Sequence, residues 1–68
     1  MPLPPKIVEV QKRYEEQVIQ LIRMHDGRYD PLMPSTPLFN AIKRLEAAGR
    51  IRWEPSRPGR RCGYVEVQ

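Results

Sequence analysis

Arg57, Arg60 and Arg61 fall within five residues of one another in the stretch SRPGRRCGY, Ser56 to Tyr64, with no carboxylate among them. A guanidinium is always charged and presents a planar fork of donors that matches a phosphate group. Neutralising a phosphate on a nucleic acid also releases condensed counterions, which favours binding at low salt. The chemistry these side chains offer is therefore polyanion binding. A charged, solubilising turn would account for the same three residues without a ligand, but an acid-free cluster favours the first reading.

A second group lies about fifteen residues earlier. Asn40, Lys43 and Arg44 sit at helical spacing, with Ser35 and Thr36 just ahead of them. Arginine and lysine pair with guanine and asparagine with adenine in a major groove. Hydroxyls at a helix start suit a phosphate, helped by the helix dipole. The competing reading is a solvated outer face, with Thr36 occupied as a helix cap.

The charge distribution supports the first group more than the total does. The chain has 68 residues, twelve basic and eight acidic, for a net charge of +4. Residues 1–34 carry five bases and five acids, whereas residues 35–68 carry seven bases and three acids. The whole excess lies in the second half, as expected of a polyanion binder.

Other chemistry finds no footing. One cysteine and one histidine allow neither an intramolecular disulfide nor a four-ligand zinc site of cysteine and histidine. No paired carboxylates, glycine-rich phosphate loop or triad is visible, so no catalytic residue, metal or cofactor is assigned. His25 ends a helix, where its partial charge suits the dipole. Cys62 adjoins Arg61 but reads as a small filler at a strand start. Trp53 and Tyr64 can stack on bases, yet aromatics on two arms of a hairpin more often pin it to a core. MPLPP lacks the basic start and apolar stretch of a signal peptide, and no apolar run approaches a membrane span. A cytoplasmic protein with no membrane partner is expected.

The elements that position these residues follow from periodicity. Ile7, Val10, Tyr14, Val18, Leu21, Ile22 and His25 recur at threes and fours, which predicts a helix from Pro5 to about His25 facing a core. Asp26-Gly27 ends it, and residues 1–5 form a loose proline arm. Val8 and Ile19 lie off that stripe and are expected to face another subunit, giving a homodimer through the N-terminal helix. In RYDPLMPS, prolines 31 and 34 exclude a regular helix. Tyr29 can form a short strand, and Leu32 and Met33 are expected to turn inward. A second helix has Thr36 as N-cap, Pro37 at its first position and Gly49 as C-cap glycine. Its inner stripe is Leu38, Ala41, Ile42, Leu45 and Ala48, and its outer face is Asn40, Lys43, Arg44 and Ala47. IRWE (51–54) and GYVEVQ (63–68) alternate around a Pro-Gly turn, which predicts a β-hairpin. The fold class is α+β, in one domain spanning residues 1–68.

The run of Thr36, Leu38, Phe39, Ala41, Ile42, Lys43, Arg44, Leu45, Glu46 and Gly49, followed by Ile51 and Arg52 and then a basic hairpin, resembles the second half of a winged helix-turn-helix domain. Its flavour is that of the PadR-like transcriptional regulators, and it covers about half of the chain. The resemblance implies a recognition helix for double-stranded DNA, with the hairpin as a wing whose arginines lie on the backbone or in the minor groove. Transcriptional regulation is the implied role. One departure stands out: such domains carry a bracing helix before the recognition helix, and here only RYDPLMPS occupies that place. Either that helix shrinks to one turn, or the N-terminal helix braces instead. Winged helices also serve as protein-interaction modules, so a larger protein is the alternative partner, and an RNA-binding winged helix would carry the same charges. A protein-binding chain should expose Leu32, Met33 or Phe39, whereas a DNA binder should bury them.

Overall fold

A computed structural model of the chain describes residues 2–67. Helix α1 spans Pro5–Met24 and helix α2 spans Thr36–Ala47. Strands β1 (Ile51–Glu54) and β2 (Gly63–Glu66) form an antiparallel hairpin in which Ile51 faces Glu66 and Trp53 faces Tyr64. Two helices and a hairpin make a small α+β domain, as the sequence predicts.

Both helices end for the same physical reason. After α1, Asp26 and Gly27 adopt left-handed backbone (φ 59° and 82°), and the Gly27 N–H donates to the Ile22 carbonyl at 2.8 Å. After α2, Gly49 is left-handed (φ 73°), and the Arg50 N–H donates to the Leu45 carbonyl at 3.0 Å. These are Schellman closures, which satisfy carbonyls the last turn would otherwise orphan. Pro5 opens α1, where its missing N–H costs nothing. The start of α2 lies one residue earlier than the hydroxyl-proline pattern suggests. Ser35, extended at φ −62° and ψ 157°, is the N-cap, and Thr36 is already helical. The Ser35 carbonyl accepts the Phe39 N–H, and neither residue's hydroxyl caps the helix.

The core is built from Val18, Ile19 and Ile22 of α1, Leu38, Ala41, Ile42 and Leu45 of α2, and Ile51 of β1, with Tyr14, Leu21, Tyr29 and Tyr64 packed around it. Fully burying one such aliphatic side chain stabilises the fold by roughly 1.5–3 kcal/mol. For α1 the core keeps Tyr14, Val18, Leu21 and Ile22 of the expected stripe but departs from it elsewhere. Ile19 belongs to the core, whereas Ile7 and Val10, expected to face inward, are 45% and 48% exposed. Val10 lies well round the helix from Val18 and Ile22, whereas Ile7 points within about 20° of Val18 and is exposed because it lies three turns nearer the N-terminus, beyond the residues that the rest of the core covers. The core also engages only the C-terminal part of α1. The domain is accordingly long, 45 × 21 × 16 Å.

The connector runs through bends at Leu32 and Met33 without a helical turn. Both side chains point outward, at 88% and 94% exposure, against the expectation that they turn in. Flanking prolines deny the segment the helical turns that would fold it back. Just before it, Tyr29 pairs with Tyr64 through two backbone hydrogen bonds, 2.7 and 3.0 Å, adding a one-residue strand on the free edge of β2. β2 ends at Glu66, short of the expected Gln68, which lies outside the described residues. Trp53, expected in the core, stays nearly half exposed and meets the Tyr64 ring edge-on, centroids 5.0 Å apart. Tyr64 takes the inner place and offers its hydroxyl to Glu46 of α2 at 3.3 Å.

Candidate nucleic-acid interface

The eight residues singled out for DNA contact fall into three groups. Arg57, Arg60 and Arg61 are exposed at the hairpin tip. Pro58 and Gly59 make the turn there. Gly59 has φ 81°, and the Arg60 N–H closes onto the Arg57 carbonyl at 2.8 Å. Proline followed by a positive-φ glycine defines a type II turn. Its twist does not match that of a hairpin ladder, and the ladder is interrupted on both arms between Glu54↔Gly63 and the tip. The Arg57 N–H also donates to the Arg60 carbonyl at 2.9 Å. Two residues that exchange both bonds stand about 5.5 Å apart at Cα and project side chains from one face. The tip therefore sets two arginines directly opposite each other, a like-charge pairing that costs stability unless an anion offsets it. Among the described residues none of the three tip arginines forms an ion pair.

Arg28, which periodicity alone did not mark, fixes the base of the tip. Its guanidinium pairs with Glu54 at the end of β1 and donates to the Arg61 carbonyl. Glu54 also receives Arg52 at 3.0 Å. Gly63 lets this happen, because a Cβ there would stand 2.7 Å from Arg28 Cγ and 3.1 Å from the Tyr29 carbonyl. A glycine opening an otherwise alternating strand was the available signal, since glycine within strands marks close backbone approach.

On α2, Asn40 and Lys43 are exposed one turn apart, and the Lys43 ammonium lies over the Phe39 ring, 5.3 Å from its centroid. Arg44 does not join them on the outer face. It reaches back to α1, with Nη2 3.4 Å from the Gln11 carbonyl and Nε 3.5 Å from a Glu15 carboxylate oxygen. The second distance fits an ion pair but not a hydrogen bond, so Nε stays buried without a hydrogen-bond partner. Ser35 and Thr36 are exposed, and because neither caps α2, both hydroxyls remain available. No hydrogen bond or ion pair among the described residues joins the helix group to the tip group.

No family model, curated protein or solved structure matches the chain.

His25 and Cys62 have structural partners, and so does Arg23, which the sequence did not mark. The His25 ring stacks on Tyr29 at 5.3 Å. Cys62 Sγ lies 3.6 Å from an Asp30 carboxylate oxygen. Arg23 binds Glu66 through Nε at 2.8 Å and Nη2 at 3.2 Å, tying α1 to β2. That contact raises the Arg23 pKa and holds the Glu66 carboxyl below its ordinary value. No helix is long and apolar enough to cross a membrane, and no cluster suited to a metal ion occurs, among the described residues.

Proposed function

We propose that the chain is a minimal winged-helix domain that binds double-stranded DNA, acting as a small transcriptional regulator rather than an enzyme. The observation that carries this reading is the paired Arg57 and Arg60 at a rigid Pro58-Gly59 tip, without acidic partners. A fold that sets two like charges side by side gains most from a ligand with closely spaced negative charges, which is what a phosphate backbone supplies. In this reading Arg57, Arg60 and Arg61 lie on phosphates. Asn40 and Lys43 face base edges, and the Ser35 and Thr36 hydroxyls reach the backbone at the start of α2. Arg44, bound to Gln11 and Glu15, holds α2 against α1 and so takes over the bracing that a helix in the connector would provide.

A titration of a labelled mixed-sequence duplex by fluorescence anisotropy, at several salt concentrations, tests the reading. The wild type should bind, with affinity falling as salt rises. In an Arg57→Ala/Arg60→Ala/Arg61→Ala variant the slope of log K against log salt should become shallower by about 0.9 for each phosphate left without its arginine. No binding at low salt would refute the proposal.

One observation favours a second reading. Leu32, Met33 and Phe39 all stay exposed, which is the arrangement expected of a module that docks on a larger protein. In that case the wild type would show no salt-dependent duplex binding, and Leu32→Ser/Met33→Ser would raise solubility.

A further inference from the structure

Helix α1 carries a second apolar seam that its own core covers only in part, at Tyr14 and Leu21. Ile7, Val10, Tyr14, Leu21 and Met24 follow the alternating three-and-four spacing of a heptad repeat, with Gln17 as the one polar member, and Leu3 continues the spacing just ahead of the helix. At 3.6 residues per turn these positions centre roughly a third of a turn from the sector of Val18, Ile19 and Ile22 that faces α2. Their exposure agrees: Met24 is 76% exposed, Ile7 and Val10 about half, and Tyr14 and Leu21 only partly covered. A strict heptad seam is what a helix presents to another helix. The chain's other helix, α2, is already engaged on the core sector.

We infer that this seam binds the same seam of a second copy, making a helix-paired homodimer. An isologous contact needs one self-complementary patch, and the first half of the chain is electrically neutral, five bases against five acids in residues 1–34. Two copies meeting along α1 therefore bring no net charge together, whereas two copies meeting through the basic second half would repel. From Ile7 to Met24 the seam runs about 26 Å, and pairing two such seams buries on the order of 1,000 Å², the threshold of a specific interface. Gln17 then faces the partner, the kind of single polar seam position that sets register at a cost in affinity. Pairing along α1 does not depend on DNA binding.

Sedimentation equilibrium on the full chain tests it. The wild type should fit twice the 8.0 kDa chain mass. Ile7→Lys/Val10→Lys should sediment as a single chain with an unchanged far-UV circular dichroism spectrum, because both side chains are half exposed in the isolated fold. Gln17→Leu should tighten the dimer by tenfold or more, and Met33→Ser should not alter it. A wild type that remains a single chain across the concentration range would overturn the inference. So would a dimer that survives the double lysine variant, a dimer insensitive to Gln17→Leu, or a dimer abolished by Met33→Ser.

Discussion

Replacing Gly63 with alanine should destabilise the domain through one identifiable contact. The backbone at Gly63 is not in the left-handed region, so the cost is steric. An added Cβ would meet Arg28 Cγ at 2.7 Å and the Tyr29 carbonyl carbon and oxygen at 3.1 Å. Arg28 cannot simply swing aside, because its guanidinium is held by Glu54 and the Arg61 carbonyl. Tyr29 cannot retreat without breaking both of its backbone bonds to Tyr64. Overpacking of this kind costs about 1–3 kcal/mol. In a domain of this size each kcal/mol lowers Tm by about 4–8 °C. Thermal unfolding followed by far-UV circular dichroism should therefore show a clear fall. The Arg28→Ala background separates the two clashes: with Cγ gone, adding Gly63→Ala should cost less than in the wild type, though not nothing, since the Tyr29 backbone remains. A Gly63→Ala protein that melts with the wild type would refute the claim that Tyr29 is docked on β2, and a full cost in the Arg28→Ala background would refute the role given to Arg28.

Three further outcomes follow from the same structure. Gly49→Ala should cost about 1–2 kcal/mol in denaturant unfolding, because φ 73° penalises any Cβ even though no atom lies within 4 Å of it. Asp26→Gly should do the reverse and stabilise by about 0.5–1 kcal/mol, since it relieves a non-glycine residue at φ 59° in the same kind of closure. Burial, aided by Glu46, raises the Tyr64 pKa above its ordinary value. The neutral phenol is thus the form the fold favours: its contribution is complete below the ordinary tyrosine pKa of about 10 and is lost as pH rises through the folded value. A spectrophotometric titration should show one phenol ionising late, and Tyr64→Phe should remove that step.

Much of the fold is legible because local rules agree. Gly49 after two alanines, Pro5 at a helix start and IRWE as a strand each have a single local interpretation, and the structure follows them, although Trp53 does not share the burial of Ile51. The errors occur where two amphipathic sectors share one helix. Ile7, Val10, Tyr14, Val18 and Ile22 can all be threaded onto one stripe, yet only the part that α2 reaches is covered. Periodicity shows which residues share a face, but not how far along the helix a neighbour extends. Leu32 and Met33 misled for a related reason. Being apolar between prolines says nothing about whether the chain has room to turn back. For the candidate site, the arginine cluster was readable as a cluster. Its pairing across the turn was not, because that depends on the tip resuming a bridge after the ladder breaks. Arg44 was readable only as a helix position, and its partners Gln11 and Glu15 lie more than twenty-five residues away.

The connector links these observations. A segment with proline at 31 and 34 gives the chain no helix between Tyr29 and α2, so α2 must be steadied from elsewhere. Two devices do this. Arg44 binds back to α1, and the Tyr64 hydroxyl ties the hairpin to Glu46 on the same helix. Both use the inner and lateral sides of α2 and leave Ser35, Thr36, Asn40 and Lys43 open. The price is an Arg44 Nε buried without a hydrogen bond, a group whose desolvation works against the fold. Substituting methionine, which keeps the alkyl stem and drops that charge, should therefore cost less stability than Arg44→Ala, which also loses the stem's packing. If Arg44 instead acts by reading DNA, Arg44→Met should weaken duplex binding as much as Lys43→Met. If it acts as the brace, Arg44→Met should leave binding close to wild type wherever the fold is intact, and only Lys43→Met should reduce it.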